Sequence, residues 1–414
     1  IRMAMCYLAN IYFGYPHWDL TLIGITGTKG KSTTAYYVKA ILDDYEAARG
    51  KPESGIISSI DVIDGVIRKE SHITTPEAVE LVEHFKHAVD SGMEFMEMEV
   101  SSQALKYDRV AKIEFDVGAF LNISEDHISA IEHSDMEDYF TSKLKLFPLT
   151  KTACVNLDSD MADRVLEAAS VCPRLITFTA DSAKQADVKA TNIRKEGHEI
   201  KFFVESPWFK REMALTMPGL FNVENALAAI AITGAVGIPV EYMVSGLYKA
   251  RSSGRMELYT SKDGLVNAIV DYAHNKLSFE ALFKSVMSEY PGYKIITIFG
   301  CPGKKALLRR RDLGLAAGKH SDFVYLVAED PGAEPVEEIS KDIAQYVEAE
   351  GCPYEMIEDR GEAIGKAILS VKEKTVLLIT GKGNETRQKY GTEYLDCPSD
   401  VEYVKRFIEE YDNR

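Results

Sequence analysis

Leu20-Thr21-Leu22-Ile23-Gly24-Ile25-Thr26-Gly27-Thr28-Lys29-Gly30-Lys31-Ser32-Thr33 is the stretch from which the rest of the chain is read. Its first half is an apolar, β-rich run, and it leads into Ala35 to Leu42, whose apolar spacing is helical. Between strand and helix lies Gly27 to Ser32, a GxxGK[ST] loop two spacer residues shorter than the usual GxxxxGK[ST] form. The physics of such a loop is that glycines turn backbone N–H groups toward phosphate oxygens while the helix N-terminus adds a positive dipole end. Lys31 reaches the terminal phosphates, and the Ser32 hydroxyl suits Mg²⁺. A plain glycine turn is the alternative, and the flanking strand and helix favour nucleotide binding.

Outward from this loop, short apolar runs (Gly55 to Ile60, Glu94 to Val100, Val117 to Asn122, Ala153 to Asn156) alternate with helical patterns such as Pro76 to Ser91 and Met136 to Phe147. That alternation predicts an α/β fold, a mostly parallel sheet covered by helices. Between Val188 and Met217 strand-like runs (His198 to Val204, Glu212 to Met217) predict an antiparallel insertion, followed by a helix from Asn222 to Ala235. A second β/α series from Leu265 onward predicts a smaller Rossmann-like domain, with a hinge at Arg251 to Gly254. The expected division is 1–19, 20–252 and 253–414.

At 414 residues the chain exceeds what one core supports, so several domains are expected. Its 48 basic and 64 acidic side chains leave a net charge of −16, which argues against nucleic acid or an anionic membrane as partner. The longest apolar stretch, Ala226 to Val240, is too short and too interrupted to span a bilayer. Six scattered cysteines without a C-x-x-C pair, and no secretory leader pattern, predict a reducing, cytoplasmic setting.

The loop TGTKGKST occurs together with EVSSQAL (Glu99 to Leu105), LNISEDH (Leu121 to His127), YFTSKLKLF (Tyr139 to Phe147), GLFNVENALAA (Gly219 to Ala229), SGRME (Ser253 to Glu257), DYAH (Asp271 to His274) and GKGNE (Gly381 to Glu385). In this order the motifs resemble the Mur ligase family, and within it the UDP-N-acetylmuramoyl-tripeptide synthetase (MurE) branch. The resemblance implies a central P-loop ATPase domain, a C-terminal Rossmann-like domain that binds the amino acid, and ATP and Mg²⁺ as cofactors. It assigns Gly27, Thr28, Lys29, Gly30, Lys31, Ser32 and Thr33 to the phosphates, and Ser32 with Glu99 to a first Mg²⁺. A second Mg²⁺ falls to His127 and to Lys143, the latter carbamylated to N6-carboxylysine, an oxygen ligand that a hard cation accepts.

Asn225 is implied against the adenine, with Arg255, Asp271 and His274 on the nucleotide from the second domain. Thr74, Thr75, Ser102 and Arg109 match contacts to the UDP-sugar-peptide, although a threonine pair before a proline also starts helices. Asp330, Gly332, Gly381 and Glu385 match the amino-acid site. The implied partners are UDP-MurNAc-dipeptide and a free diamino acid, acting on a monomer.

Three departures stand out. Ile1 to Asp19 resembles only the tail of the family's uridine-gripping N-terminal domain. GKGHE becomes GKGNE, and DNPR of diaminopimelate-adding members becomes Glu329-Asp330-Pro331-Gly332, losing the arginine that clamps the distal carboxylate. With carboxylates at Glu329, Asp330 and Glu334 nearby, L-lysine is expected over meso-diaminopimelate, unless this loop lies outside the pocket and Glu385 alone governs selection, or Arg310 or another cation takes the arginine's place. Alternatives are another ligase of the superfamily, folylpolyglutamate- or cyanophycin-synthetase-like, or a nucleotide-binding partner protein without ligase activity.

Overall fold

A computed structural model describes the chain apart from His72, residues 125–131, His198, Ser253 and residues 305–306. It divides into two compact units, the first of residues 1–216 and 222–251, the second of residues 217–221 and 252–414.

The first unit opens with α1 (Arg2–Phe13), β1 (Thr21–Thr26), α2 (Lys31–Ala48), β2 (Gly55–Ile57), β3 (Asp61–Ile63), β4 (Arg68–Glu70), α3 (Ala78–Asp90), β5 (Phe95–Glu99) and α4 (Ser102–Lys106). It continues through β6 (Phe115–Phe120), α5 (Met136–Leu144), β7 (Thr150–Asn156), α6 (Ala162–Ala169), β8 (Arg174–Thr179), β9 (Val188–Glu196), β10 (Glu199–Glu205), β11 (Lys210–Leu215), α7 (Asn222–Ala235) and α8 (Val240–Lys249). All its strands join one eleven-stranded sheet in the order β11-β10-β9-β8-β7-β6-β1-β5-β2-β3-β4. From β9 to β2 the pairing is parallel, and an antiparallel pair extends each edge. The antiparallel run expected between Val188 and Met217 is therefore an extension of the main sheet, joined through the parallel β8–β9 pair.

Several local outcomes have clear causes. The helix expected to run from Met136 to Phe147 ends at Leu144, because Pro148 cannot continue it and the chain turns instead into a 3₁₀ segment, Phe147–Leu149. The sequence Phe-Met-Glu-Met-Glu of β5 alternates as if one face met water, yet all five residues are buried, since a parallel sheet is covered on both faces. Glu97 survives there by accepting a hydrogen bond from Ser54 Oγ at 3.2 Å, and burial pushes its pKa up to about 8. Gly246 lets α8 lie directly on α2: a Cβ at this position would come within 2.5 Å of the Ile41 Cα. Residues 1–19, expected as the tail of a separate domain, lie in the first unit, where Cys6 of α1 packs with Phe85 of α3 and Phe115 of β6 in one apolar cluster.

The second unit holds β12 (Glu257–Thr260), β13 (Val266–Asp271), α9 (Lys276–Glu289), β14 (Lys294–Phe299), α10 (Leu308–His320), β15 (Phe323–Leu326) and α11 (Val336–Ala349). It closes with β16 (Tyr354–Met356), α12 (Arg360–Leu369), β17 (Thr375–Thr380), β18 (Arg387–Tyr390), β19 (Glu393–Asp396) and α13 (Asp400–Asp412). Its six-stranded sheet runs β12-β13-β17-β14-β15-β16, parallel except for β12, with β18 and β19 as a separate hairpin. Apolar side chains line both faces, Val376 and Leu378 on one and Leu377 and Ile379 on the other, as a helix-covered parallel sheet requires. Arg360 at the start of α12 is locked to Asp400 at the start of α13 by bonds of 2.6 and 2.7 Å, and to the Thr380 carbonyl that ends β17. Among the described residues no helix is long and apolar enough to cross a membrane.

Candidate active site

The phosphate loop bridges the end of β1 and the start of α2. Gly30 caps α2 with a left-handed backbone (φ 79°) and no side-chain cap bond, so the helix presents its first-turn N–H groups without a competing side chain. A Cβ at Gly30 would lie 2.2 Å from Asn225 Oδ1. The segment after β6 braces the loop: Lys29 N–H donates to Asn122 Oδ1 at 2.9 Å, Asn122 Nδ2 to Lys29 O at 3.2 Å, and Thr28 N–H to Asn122 O at 3.0 Å. Tyr139 of α5 donates to Thr28 Oγ1 at 3.1 Å. Two ammonium groups converge on one carbonyl, Lys31 Nζ and Lys143 Nζ each 2.9 Å from Gly27 O, with Lys31 also 3.2 Å from Thr28 O. Lys143 is 1% exposed and lies 4.6 Å from the centre of the Tyr139 ring. The half-buried Lys31 ammonium, at a helix start without a side-chain cap, is what a polyphosphate needs.

Beside it runs an oxygen-only chain. Ser32 Oγ is 3.0 Å from Ser59 Oγ, and Ser59 donates to Glu99 Oε1 through its N–H at 2.9 Å and its hydroxyl at 3.2 Å. Ser32 and Glu99, 67 positions apart, are thus joined through Ser59, a residue that none of the sequence motifs contains. Hard oxygen donors of this kind fit Mg²⁺. His127, the expected further ligand, lies outside the described residues.

The end of β5 also gathers the residues expected at the sugar-peptide. Thr75 Oγ1 donates to Glu99 O at 2.9 Å and accepts from Ser101 N–H at 3.0 Å. Arg109 donates to Thr75 O at 3.2 Å and pairs with Glu77 at 2.9 Å, so it braces the Thr74–Thr75 loop while almost wholly buried. Ser102 Oγ lies 2.9 Å from His133 Nε2, and His133 Nδ1 lies 3.2 Å from Asp138. Burial keeps His133 below its usual pKa against the pull of Asp138. Asn225, expected to meet the adenine, is buried beneath Gly30, with its Nδ2 donating to Asn222 Oδ1 at 2.9 Å. Thr34 Oγ1 lies 3.5 Å from its Oδ1.

The second unit carries its own cluster. Asp271 ends β13 and accepts from the Met256 and Ala273 N–H groups, each at 2.8 Å; burial raises its pKa and Arg255 opposes the rise. The Arg255 guanidinium lies 4.4 Å from the Tyr272 ring centre, and His274 Nδ1 donates to Tyr272 O at 2.7 Å. Tyr272 donates to Glu385 at 2.8 Å, which links this group to the expected amino-acid residues.

There Lys382 is the hub, 2.5 Å from Glu385 and 3.0 Å from Asp330. Burial disfavours its charge, but those two carboxylates outweigh it and raise the pKa. Gly381 (φ 105°) admits the Glu329 carboxylate, which a Cβ would meet at 2.2 Å. Burial lifts Glu329 to about 7, with Arg360 and Lys382 acting against it. Gly332 (φ 60°) is held by backbone bonds, its N–H to Lys389 O at 3.0 Å and its carbonyl to Gly391 N–H at 2.7 Å. Glu334, one of the nearby carboxylates expected to suit an ammonium end, is paired with Arg310 at 2.8 and 2.7 Å, and Arg310 also pairs with Asp342 at 2.8 Å. Lys382 sits inside GKGNE, yet nothing in that motif marks it, because its role appears only once Asp330 and Glu385 are in place.

The Mur ligase middle domain matches residues 25–233, and the Mur ligase glutamate ligase domain matches residues 254–383. The chain belongs to the Mur ligase family. It is 34% identical to a UDP-N-acetylmuramyl-tripeptide synthetase of Lactobacillus delbrueckii subsp. bulgaricus, over 99% of this chain and 82% of that one. A 2,6-diaminopimelate ligase of Caldanaerobacter subterraneus is 35% identical, with the same coverages. An L-lysine ligase of Enterococcus faecalis is 36% identical over 94% of this chain and 76% of that protein.

Among solved structures, a UDP-N-acetylmuramoyl-L-alanyl-D-glutamate–2,6-diaminopimelate ligase superposes with a TM-score of 0.67 at 23% identity, covering 99% of this chain and 83% of the other. Folylpolyglutamate synthase of Mycobacterium tuberculosis reaches 0.71 at 17% identity, over 92% and 91%. These likenesses show the fold. As a Mur ligase the protein is an ATP-dependent, amide-forming enzyme that uses Mg²⁺. The uncapped helix start with Lys31 fits the nucleotide's phosphates, and the Ser32, Ser59 and Glu99 oxygens fit the cation.

Proposed function

We propose that this Mur ligase joins a diamino acid, L-lysine in preference to meso-diaminopimelate, to UDP-MurNAc-L-Ala-D-Glu in peptidoglycan precursor synthesis in the cytoplasm. The relatives at 34–36% identity support the acceptor class, and they are named for both amino acids. The terminal carboxylate of the dipeptide takes the γ-phosphoryl group of ATP, the amine of the diamino acid attacks the acyl phosphate, and phosphate leaves as the amide forms. Lys31 offsets charge on the transferring group, while the rigid loop held by Asn122 and Tyr139 keeps that ammonium in place without reorganisation. Ser32 and Glu99 hold Mg²⁺, with His127 and a carbamylated Lys143 at a second ion; the metal supplies charge neutralisation on the phosphates. A carbamate nitrogen keeps one hydrogen, so the bond from Lys143 Nζ to Gly27 O is compatible with that modification. Residues 20–252 serve the nucleotide and 253–414 the amino acid, in a chain acting as a monomer.

The observation that carries the lysine preference is the Gly332 loop. Gly332 offers no side chain, and Arg310, the cation expected to replace the missing arginine, is committed to Glu334 and Asp342. A second carboxylate on the incoming amino acid needs a cation to offset its desolvation, and Lys382, the cation beside this loop, is already paired with Asp330 and Glu385; two carboxylates against one ammonium leave a net negative charge that suits an ammonium end. Measured with the same UDP-dipeptide, kcat/KM for L-lysine should exceed that for meso-diaminopimelate by about tenfold or more, the scale of one unpaired charge partly exposed to solvent. Equal or reversed values would overturn this preference and leave the ligase reading intact.

A further inference from the structure

The turn between β3 and β4 carries Asp64, whose Oδ1 is spent on the turn itself, accepting from Val66 N–H at 2.9 Å and Ile67 N–H at 2.6 Å. This leaves Oδ2 directed at α3. There His84 and His87, three positions apart and hence on one helix face, place their Nδ1 atoms 2.6 and 2.8 Å from that single oxygen. The two imidazole nitrogens and the carboxylate oxygen all lie within 4.8 Å of one another. Asp64 and His84 are buried, and His87, about a quarter exposed, opens the cluster to solvent.

A second observation, at the outer nitrogen of His84, points to a cation in this cluster. With both rings neutral and donating Nδ1–H to Asp64, their outer nitrogens are bare acceptors, and the buried His84 Nε2 has no hydrogen-bond partner. Its neighbour is a carboxylate: Glu80 Oε1, one helical turn earlier, at 3.6 Å. An acceptor facing a carboxylate is unfavourable, and a buried polar atom left unsatisfied is costly. With a cation on Nδ1 the ring carries its hydrogen on Nε2 instead, and that N–H points at Glu80. Outer carboxylates of this kind orient metal-bound histidines.

We propose that Asp64, His84 and His87 form a structural Zn²⁺ site. Two imidazoles and one carboxylate are a borderline donor set that suits Zn²⁺ and suits Mg²⁺ poorly, so the site is chemically distinct from the oxygen-lined Ser32–Glu99 chain. A fourth, open position falls to water on the His87 side. The site ties the β3–β4 turn to α3, and those elements flank the loop carrying Thr74 and Thr75; the metal therefore fixes both ends of that loop.

The test uses the full chain, stripped with chelator and held in excess Mg²⁺. Titration with Co²⁺ should give one bound ion per chain with the intense visible bands of four-coordination, displaced by one equivalent of Zn²⁺, and Zn²⁺ should raise the melting temperature. In His87→Gln and in Asp64→Asn, which keeps the Oδ1 turn bonds, binding should weaken by about tenfold or more and the thermal shift should vanish. Circular dichroism of the metal-free variants should match the parent. Absence of four-coordinate Co²⁺ in the parent, or bands that persist unchanged in both variants, would overturn the site.

Discussion

Lys31→Ala should lower kcat for ATP turnover by about 10³-fold or more, roughly 4 kcal/mol of lost transition-state stabilisation, with the fold intact. The reason lies in where the ammonium sits. It is held on the carbonyls of Gly27 and Thr28, at the start of a helix whose N-terminus has no side-chain cap. Charge that builds on a phosphoryl group transferred at this loop would meet its fixed counter-charge there, and a water molecule replacing it would have to reorganise. The side chain is only half-buried and bonds backbone oxygens of its own loop, so the melting temperature should move by less than about 3 °C. Steady-state kinetics with a thermal melt checks both halves, and near-normal turnover in a folded variant would remove the phosphate-loop assignment.

Lys143→Ala should lose about 10²-fold or more in kcat and regain part of it when formate, acetate or propionate is supplied. Lys143 is buried at 1% exposure, against Gly27 O and the Tyr139 ring, so truncation leaves a small polar-walled space beside the loop. A short carboxylate placed there restores the anionic oxygens that a carbamate provides. An ammonium acting as a simple cation predicts the opposite, since added anions cannot replace it. Rescue by carboxylates but not by alkylamines therefore separates the two chemistries, and rescue by alkylamines alone would show that Lys143 acts unmodified.

Much of this architecture is legible in the amino-acid sequence. The β1–loop–α2 unit, the α7 boundaries at Asn222 and Ala235 and the second β/α series follow from apolar spacing and glycine placement. The features that local pattern does not show have physical causes. Glu97 and Glu99 alternate with apolar residues as on a solvent-facing strand, but helices cover both sheet faces, and these carboxylates are buried with serine partners from elsewhere in the chain. Ser59 is an ordinary serine in sequence and becomes the link between Ser32 and Glu99 only through the pairing of β2 with β5. Arg310 and Glu334 look like open charges; their mutual pairing across 24 positions is a tertiary fact that no local pattern encodes. The Asp64, His84 and His87 cluster is hidden for the same reason, since a hairpin turn and a helix must be brought together for it to exist.

Phosphate release measured with the purified chain, ATP and Mg²⁺ decides whether the protein is an ATP-dependent ligase acting on a UDP-sugar-dipeptide. Release should require UDP-MurNAc-L-Ala-D-Glu and L-lysine together, and should match tripeptide formed mole for mole. Nucleotide binding without phosphate release in the presence of both substrates, or release indifferent to either of them, would contradict it.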